Sequence, residues 1–236
     1  MTTNVRRLVA EALGTFALVA IGPGAAMVAA GTHAFGHIGV ALAFGLAVCV
    51  IVAATGQLGG AHINPAVTLG LWTVRRFPGR DVPPYMLAQC IGAVAASATL
   101  VWILGPAGGF GATMPGLPLP QSFAVEFLFS ALLGLVIMAM ATDERSPVVL
   151  APFAIGATVF AGALVAGPLT GGSFNPARSL GPAVIGHVWT AHWLYWIAPM
   201  LGISAGMHLY EMLRPGTMTV HEGGRMGVAG PLELRP

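Results

Sequence analysis

The segments GGAHINPAVTLG at residues 59–70 and GGSFNPARSLG at residues 171–181 are two versions of one motif, with Asn64-Pro65-Ala66 in the first and Asn175-Pro176-Ala177 in the second. Their offset of 111 residues is close to half of the 236-residue chain. Proline directly after asparagine suits the first turn of a helix, where its missing N–H costs nothing, and asparagine is a good cap before it. Moderately apolar sequence then runs only to about residues 74 and 185, too short to cross a hydrocarbon core of roughly 20 helical residues. Each copy therefore reads as a loop entering a membrane followed by a half-helix returning to its own surface, which is allowed where the backbone faces protein or water rather than lipid.

Composition agrees that the solvent is a bilayer. The chain is 56% hydrophobic and 8% charged, with mean hydropathy +0.82, against about 25% charged in soluble domains. Expected spans cover about 8–30, 38–58, 84–105, 118–141, 149–168 and 188–212. Spans two, three and five carry no acidic or basic residue, and the first and fourth carry one glutamate each, Glu11 and Glu126. Residues 1–212 are expected to form one channel domain of two halves, about 6–105 and 118–212. Residues 213–236, rich in glycine, proline and charge, are expected to form a mobile tail. Cys49 and Cys90 lie in apolar stretches and suggest neither a disulfide framework nor a metal site.

All ten basic residues are arginines. Nine of them, at the N-terminus, around residues 75–80, at Arg145 and after the last span, fall on one side of six crossings; that side is expected to be the cytoplasm, with both termini there. They form no continuous cationic face, so nucleic acid is not an expected partner. Trp102, Trp189, Trp193 and Trp196 sit near span ends, where indoles suit the headgroup level. Arg178 is the exception, in the stretch between spans five and six, where an arginine near membrane depth points to a wet cavity.

Three spans accompany each motif, so the second half enters from the opposite side and the repeat is inverted. Inverted symmetry brings the two half-helix N-termini together near the midplane. There Asn64 and Asn175 direct amide N–H donors into a lumen, and both helix ends supply positive potential that repels cations and hydronium. Gly14, Gly45, Gly92, Gly134, Gly156 and Gly202, one per span, suit close helix crossings. The histidines form no spacing that compels a metal site, and passive permeation requires no cofactor; His62 is expected to shape the inner vestibule.

On these motifs the chain resembles the aquaporins, or major intrinsic proteins, over about residues 6–212. The resemblance implies an all-α fold of six transmembrane helices and two re-entrant half-helices, a homotetramer with four pores, and flow down a gradient. It implies that Glu11 and Glu126 accept bonds from the backbone N–H groups of the re-entrant loops. It also implies an outward filter, which by spacing from the two asparagines falls on Phe44, Ala163, Gly172 and Arg178. Strict water channels of the family usually have histidine where Ala163 stands, so this filter is expected to be wider and less polar. Ser179, Ala183 and the pair Tyr195-Trp196 instead resemble the water branch. The position often held by a mercury-sensitive cysteine is Gly172.

The function expected is a passive, non-enzymatic channel for water, with glycerol, urea, hydrogen peroxide or arsenous acid as further neutral solutes. A dedicated neutral-solute or metalloid facilitator is one alternative, and a structural membrane protein or an active transporter are others. No nucleophile, base and stabilising group converge as an enzyme requires. Arginine-only basic content suggests a bacterial inner membrane.

Overall fold

The computed structural model describes residues 3–214, 218–220 and 226–228. Eight helices follow one another: α1 (Thr3–Thr32), α2 (His37–Gly59), α3 (Pro65–Thr73), α4 (Val82–Leu104), α5 (Leu119–Ile137), α6 (Ala151–Thr170), α7 (Pro176–Gly186) and α8 (Leu194–Leu213). A π turn, Met138–Thr142, prolongs α5. Five of the long segments are apolar and long enough to cross a membrane. The sixth, α8, has 20 residues, about 30 Å at 1.5 Å per residue, and is made less apolar by Ser204, His208 and Glu211. Helices α3 and α7 have 9 and 11 residues, roughly half a bilayer. Most of the expected tail lies outside the described residues; within it Met218–Val220 pairs antiparallel with Met226–Val228.

The last span starts later than the sequence suggests. Residues 188–193 are apolar enough to read as helix, but His187 takes a left-handed conformation (φ 55°) as the C-cap of α7. Short turns, with Trp189 O accepting from His192 N and Ala191 O from Leu194 N, carry the chain to Leu194.

The two halves repeat the same punctuation. Helix α2 ends at Gly60 (φ 91°), whose N–H donates to Gly56 O, and α6 ends at Gly171 (φ 84°), whose N–H donates to Gly167 O. Both glycines adopt the left-handed conformation that closes a helix without a Cβ clash. Four residues later Asn64 and Asn175 cap α3 and α7, with Pro65 and Pro176 opening the first turn. The same arrangement thus turns the chain into the membrane twice.

Packing repeats as well. Helix α1 packs on α4, and its counterpart α5 packs on α8, while α2 and α6, one from each half, pack on each other. At the α2–α6 crossing a Cβ on Gly45 would lie 2.7 Å from Gly156 O, and one on Gly156 would lie 2.5 Å from Gly45 O. Gly92 meets the Ala12 carbonyl, and Gly134 and Gly202 meet the carbonyls of Ile203 and Phe127 in the same way. Gly14 differs, since it makes room for the Ile63 side chain of the first re-entrant loop. Backbones approaching this closely gain dispersion contacts where lipid offers no hydrophobic drive between helices.

The distribution of polarity is reversed relative to a soluble bundle. Val50, Leu87, Ile91, Leu128 and Phe153 are more than half exposed, whereas Glu11, Thr68, Gln89, Glu126, Ser130 and Ser179 are fully buried. An apolar exterior of this extent is stable against acyl chains, and the buried polar groups other than Ser130 serve the two loops.

Candidate functional site

In each re-entrant loop the residue before the asparagine is left-handed, Ile63 at φ 45° and Phe174 at φ 52°. A β-branched or bulky residue rarely adopts this conformation, and both are held there by a carboxylate. Glu11 accepts from His62 N at 2.8 Å and Ile63 N at 2.7 Å; Glu126 accepts from Ser173 N and Phe174 N, each at 2.9 Å. The carboxylate sites are completed by Gln89 Nε2 at 2.7 Å on Glu11 and by Thr170 Oγ1 at 2.6 Å on Glu126. Gln89 and Thr170 were not legible as loop supports, although an uncharged amide inside span three is itself a signal of buried pairing.

The loops meet end to end. Asn64 Oδ1 accepts from Ala66 N at 2.9 Å and Asn175 Oδ1 from Ala177 N at 3.0 Å, so each oxygen caps its own half-helix. Asn64 Nδ2 donates to Phe174 O and Asn175 Nδ2 to Ile63 O, both at 2.8 Å. This refines the expectation that the amides point into a lumen. An amide nitrogen carries two donors; one ties the opposite loop, and the other remains for the cavity that both asparagines line.

That cavity, about 250 Å³, runs from Arg76 and Thr142 at one end to Arg178 at the other. Leu18, Val48, Val67, Leu133, Ile137 and Ile155 form its apolar wall, and the opposite wall is the polar backbone of the two loops. His62 also lines it, 8% exposed, with Nδ1 3.1 Å from Thr68 Oγ1 and its ring against Phe77 and Tyr85. A second cavity of about 260 Å³ opens beyond Arg178 and is lined by His37, Gly108 and Gly111 among others. Phe44, Ala163, Gly172 and Arg178 line both. The fold therefore brings all four residues singled out from the sequence to the boundary between the two cavities.

Arg178 is fixed there by its own partners. Its Nη1 donates to Gly111 O at 3.0 Å and its Nη2 to Gly171 O at 3.4 Å, and its guanidinium carbon stands 4.8 Å from the centre of the Phe44 ring, within cation–π range. Nε–H has no acceptor among the described residues, and each Nη keeps a second N–H. Ala163 and Gly172 present no long side chain; the nearest atoms to a Cβ on Gly172 would be Gly167 N at 3.3 Å and Ala163 Cα and Gly167 Cα, each at 3.5 Å. Arg76 and Arg178 are the charged residues lining the inner cavity, and both half-helix N-termini add positive potential between them. Neutral solutes meet donors along such a path, and cations meet repulsion from both ends. Among the described residues no group of three or more histidine, cysteine, aspartate or glutamate side chains is placed to hold a metal ion.

Two cavities inside a membrane bundle, meeting at one set of residues and lined by fixed donors, have the form of a passive channel for water and small uncharged solutes. The family model of the major intrinsic proteins matches residues 1–210, and the chain belongs to that family. It is 44% identical over 213 residues to Aquaporin NIP1-4 of Oryza sativa subsp. japonica, covering 90% of this chain and 78% of that protein. It is 41% identical over 236 residues to Aquaporin Z of Rhodopseudomonas palustris, covering 93% and 98%. Among solved structures it resembles the aquaglyceroporin from Plasmodium falciparum with TM-score 0.79 and 24% identity, covering 89% of this chain and 96% of that one.

Proposed function

We propose that this aquaporin conducts water together with small uncharged solutes of the size of glycerol, urea, hydrogen peroxide and arsenous acid, through an outer filter made by Phe44, Ala163, Gly172 and Arg178. The observation that carries the reading is the pair of small residues: Ala163 and Gly172 lie side by side at the boundary between the cavities, and neither fills it with a side chain longer than a methyl group. Phe44 supplies an apolar wall, and Arg178 supplies fixed donors to a hydroxyl or carbonyl oxygen while excluding cations. Asn64 and Asn175 serve as the second selectivity point, where a passing oxygen accepts from both amides. Glu11 and Glu126 act as loop supports.

The protein is proposed to work as a homotetramer in a bacterial inner membrane, with both termini in the cytoplasm. The exposed apolar faces of α1, α2, α4 and α5 leave room for lipid and neighbouring protomers, and the arginine distribution favours that orientation. Proteoliposomes in glycerol, urea and sucrose gradients test the solute range. Re-swelling in glycerol or urea but not in sucrose is expected. Shrinkage without re-entry of either solute would limit the channel to water and overturn the wide-filter reading. Purified tetramers in which wild type carries no flux of any kind would favour the structural-protein alternative.

A further inference from the structure

A chain of buried hydroxyls lies behind the outer filter. Thr113 Oγ1 donates to Ser179 Oγ at 2.9 Å, Ser179 Oγ lies 2.5 Å from Ser173 Oγ, and Ser173 Oγ donates to Asn175 O at 2.9 Å. Each hydroxyl has one proton. Since that of Ser173 goes to Asn175 O, the proton between the serines comes from Ser179, and Ser179 accepts from Thr113. The chain runs in one direction from the outer loop to the asparagine carbonyl. Thr113 and Ser173 are 4% and 6% exposed and Ser179 is fully buried.

The first half has a matching bracket with a different third member. Thr68, four residues after Asn64 as Ser179 is after Asn175, bonds His62 Nδ1 and accepts from Gln89 Nε2 at 2.9 Å. His62 corresponds to Ser173. Gln89, however, stands on helix α4, whereas Thr113 belongs to the connection between α4 and α5, which has no counterpart inside either half. That connection is laced to the filter at three points: Gly111 O on Arg178 Nη1, Thr113 Oγ1 on Ser179, and Gly116 N on Leu169 O at 2.9 Å. Thr113 also packs on Gly171, the second carbonyl partner of Arg178.

We propose that Thr113 is a specificity-setting positioning residue: its hydroxyl, acting through Ser179 and Ser173, fixes the outer connection as a wall of the constriction and so sets the position of the Arg178 guanidinium. The outer filter is then tuned by a loop, while the inner bracket is set by a transmembrane helix. A positioning group that loosens by a fraction of an ångström changes what a narrow site admits. The inference rests on the wide-filter reading for its solutes and on the hydrogen bonds above for its mechanism.

The test compares wild type, Thr113→Val, Thr113→Ser and Ser173→Ala as purified tetramers in liposomes, reading urea and glycerol permeability relative to water. Val keeps the shape and removes the donor; Ser keeps the donor. Thr113→Val and Ser173→Ala are expected to raise the urea-to-water ratio about threefold or more, with Thr113→Ser returning to the wild-type ratio. An unchanged ratio in Thr113→Val, or an equal shift in Thr113→Ser, overturns the proposal. If wild type admits water alone, the wide-filter reading fails by itself; Thr113→Val is then expected to begin admitting urea, and its continued exclusion of urea would count against the positioning role as well.

Discussion

Asn64 and Asn175 each donate to the carbonyl that precedes the other, Asn64 Nδ2 to Phe174 O and Asn175 Nδ2 to Ile63 O at the same 2.8 Å. The reciprocity makes one rigid junction out of two loops from opposite sides of the membrane. It also fixes the rotamer of each amide, so the free N–H of each keeps a defined direction in the lumen. Replacing Asn175 with alanine removes a helix cap and one cross-tie together. The cap alone is worth about 1 kcal/mol, and Ile63 O would be left without its partner. Asn175→Ala is therefore expected to lower both the thermal stability of the protein and its water permeability, read by unfolding in detergent and by stopped-flow light scattering.

Ala163→His introduces the bulky polar side chain that the proposed filter lacks. Glycerol and urea flux are expected to fall about tenfold or more while water flux changes only about twofold, because a narrowed ring excludes by size before it obstructs water. Parallel stopped-flow traces in the three osmolytes check this.

Glu126→Gln keeps size and changes one acceptor into a donor. Ser173 N, Phe174 N and Thr170 Oγ1 all donate to this carboxylate, so one of them would lose its partner and face an N–H. A buried unsatisfied donor costs about 1–3 kcal/mol. The variant is expected to show a lower unfolding temperature and a filter less selective than wild type, since the same two N–H groups orient residues 173–175.

Gly45→Val tests the α2–α6 crossing. Its Cβ would meet Gly156 O at 2.7 Å and the Phe160 side chain at 2.5 Å, so the helices must separate. Overpacking of this kind costs about 1–3 kcal/mol. The yield of folded protein by size-exclusion chromatography should fall, whereas Leu46→Val, at a half-exposed position facing outward, should leave it unchanged.

The connection between α5 and α6 carries a pH-dependent clasp. Asp143 accepts from Arg145 Nε at 2.9 Å, from Tyr210 Oη at 2.7 Å and from Arg145 N at 3.0 Å. The Arg145 side chain first, and the Tyr210 hydroxyl second, hold its carboxyl well below the usual 3.8. A depressed carboxylate pKa adds stability that is present above the unfolded value and is lost as pH falls through the folded one. The gap in unfolding temperature between wild type and Asp143→Asn is therefore expected to stay constant from about pH 8 to pH 4 and to close below that. A gap that closes near pH 6 would point to a histidine instead.

Much of this architecture is legible in the chain because the repeat is written twice. The offset between Asn64 and Asn175 recurs for Glu11 and Glu126 within a few residues, and spacing from the asparagines leads to Phe44, Ala163, Gly172 and Arg178, which the fold gathers at one level. Other features leave no periodic trace. The cross-tie depends on left-handed backbone at Ile63 and Phe174, residue types that rarely mark such a conformation. The hydroxyls of Thr113, Ser173 and Ser179 are short and common, and Thr113 lies in a connection that reads only as turn. The start of α8 was obscured because Val188 and Trp189 are apolar enough for a helix, while His187 ends the preceding one. Gln89 was missed as well, although a lone amide in an apolar span is a signal of buried pairing.

A lumen that passes neutral molecules and stops protons at the Asn64–Asn175 junction is tested most directly where both flows are read at once. Stopped-flow shrinkage of proteoliposomes loaded with a pH-sensitive dye, under an imposed pH gradient, reads water flow and proton flow in the same vesicles. Shrinkage many times faster than in empty vesicles is expected, with no acceleration of the dye signal. Shrinkage no faster than in empty vesicles, or proton entry rising in step with water flow, would contradict such a lumen.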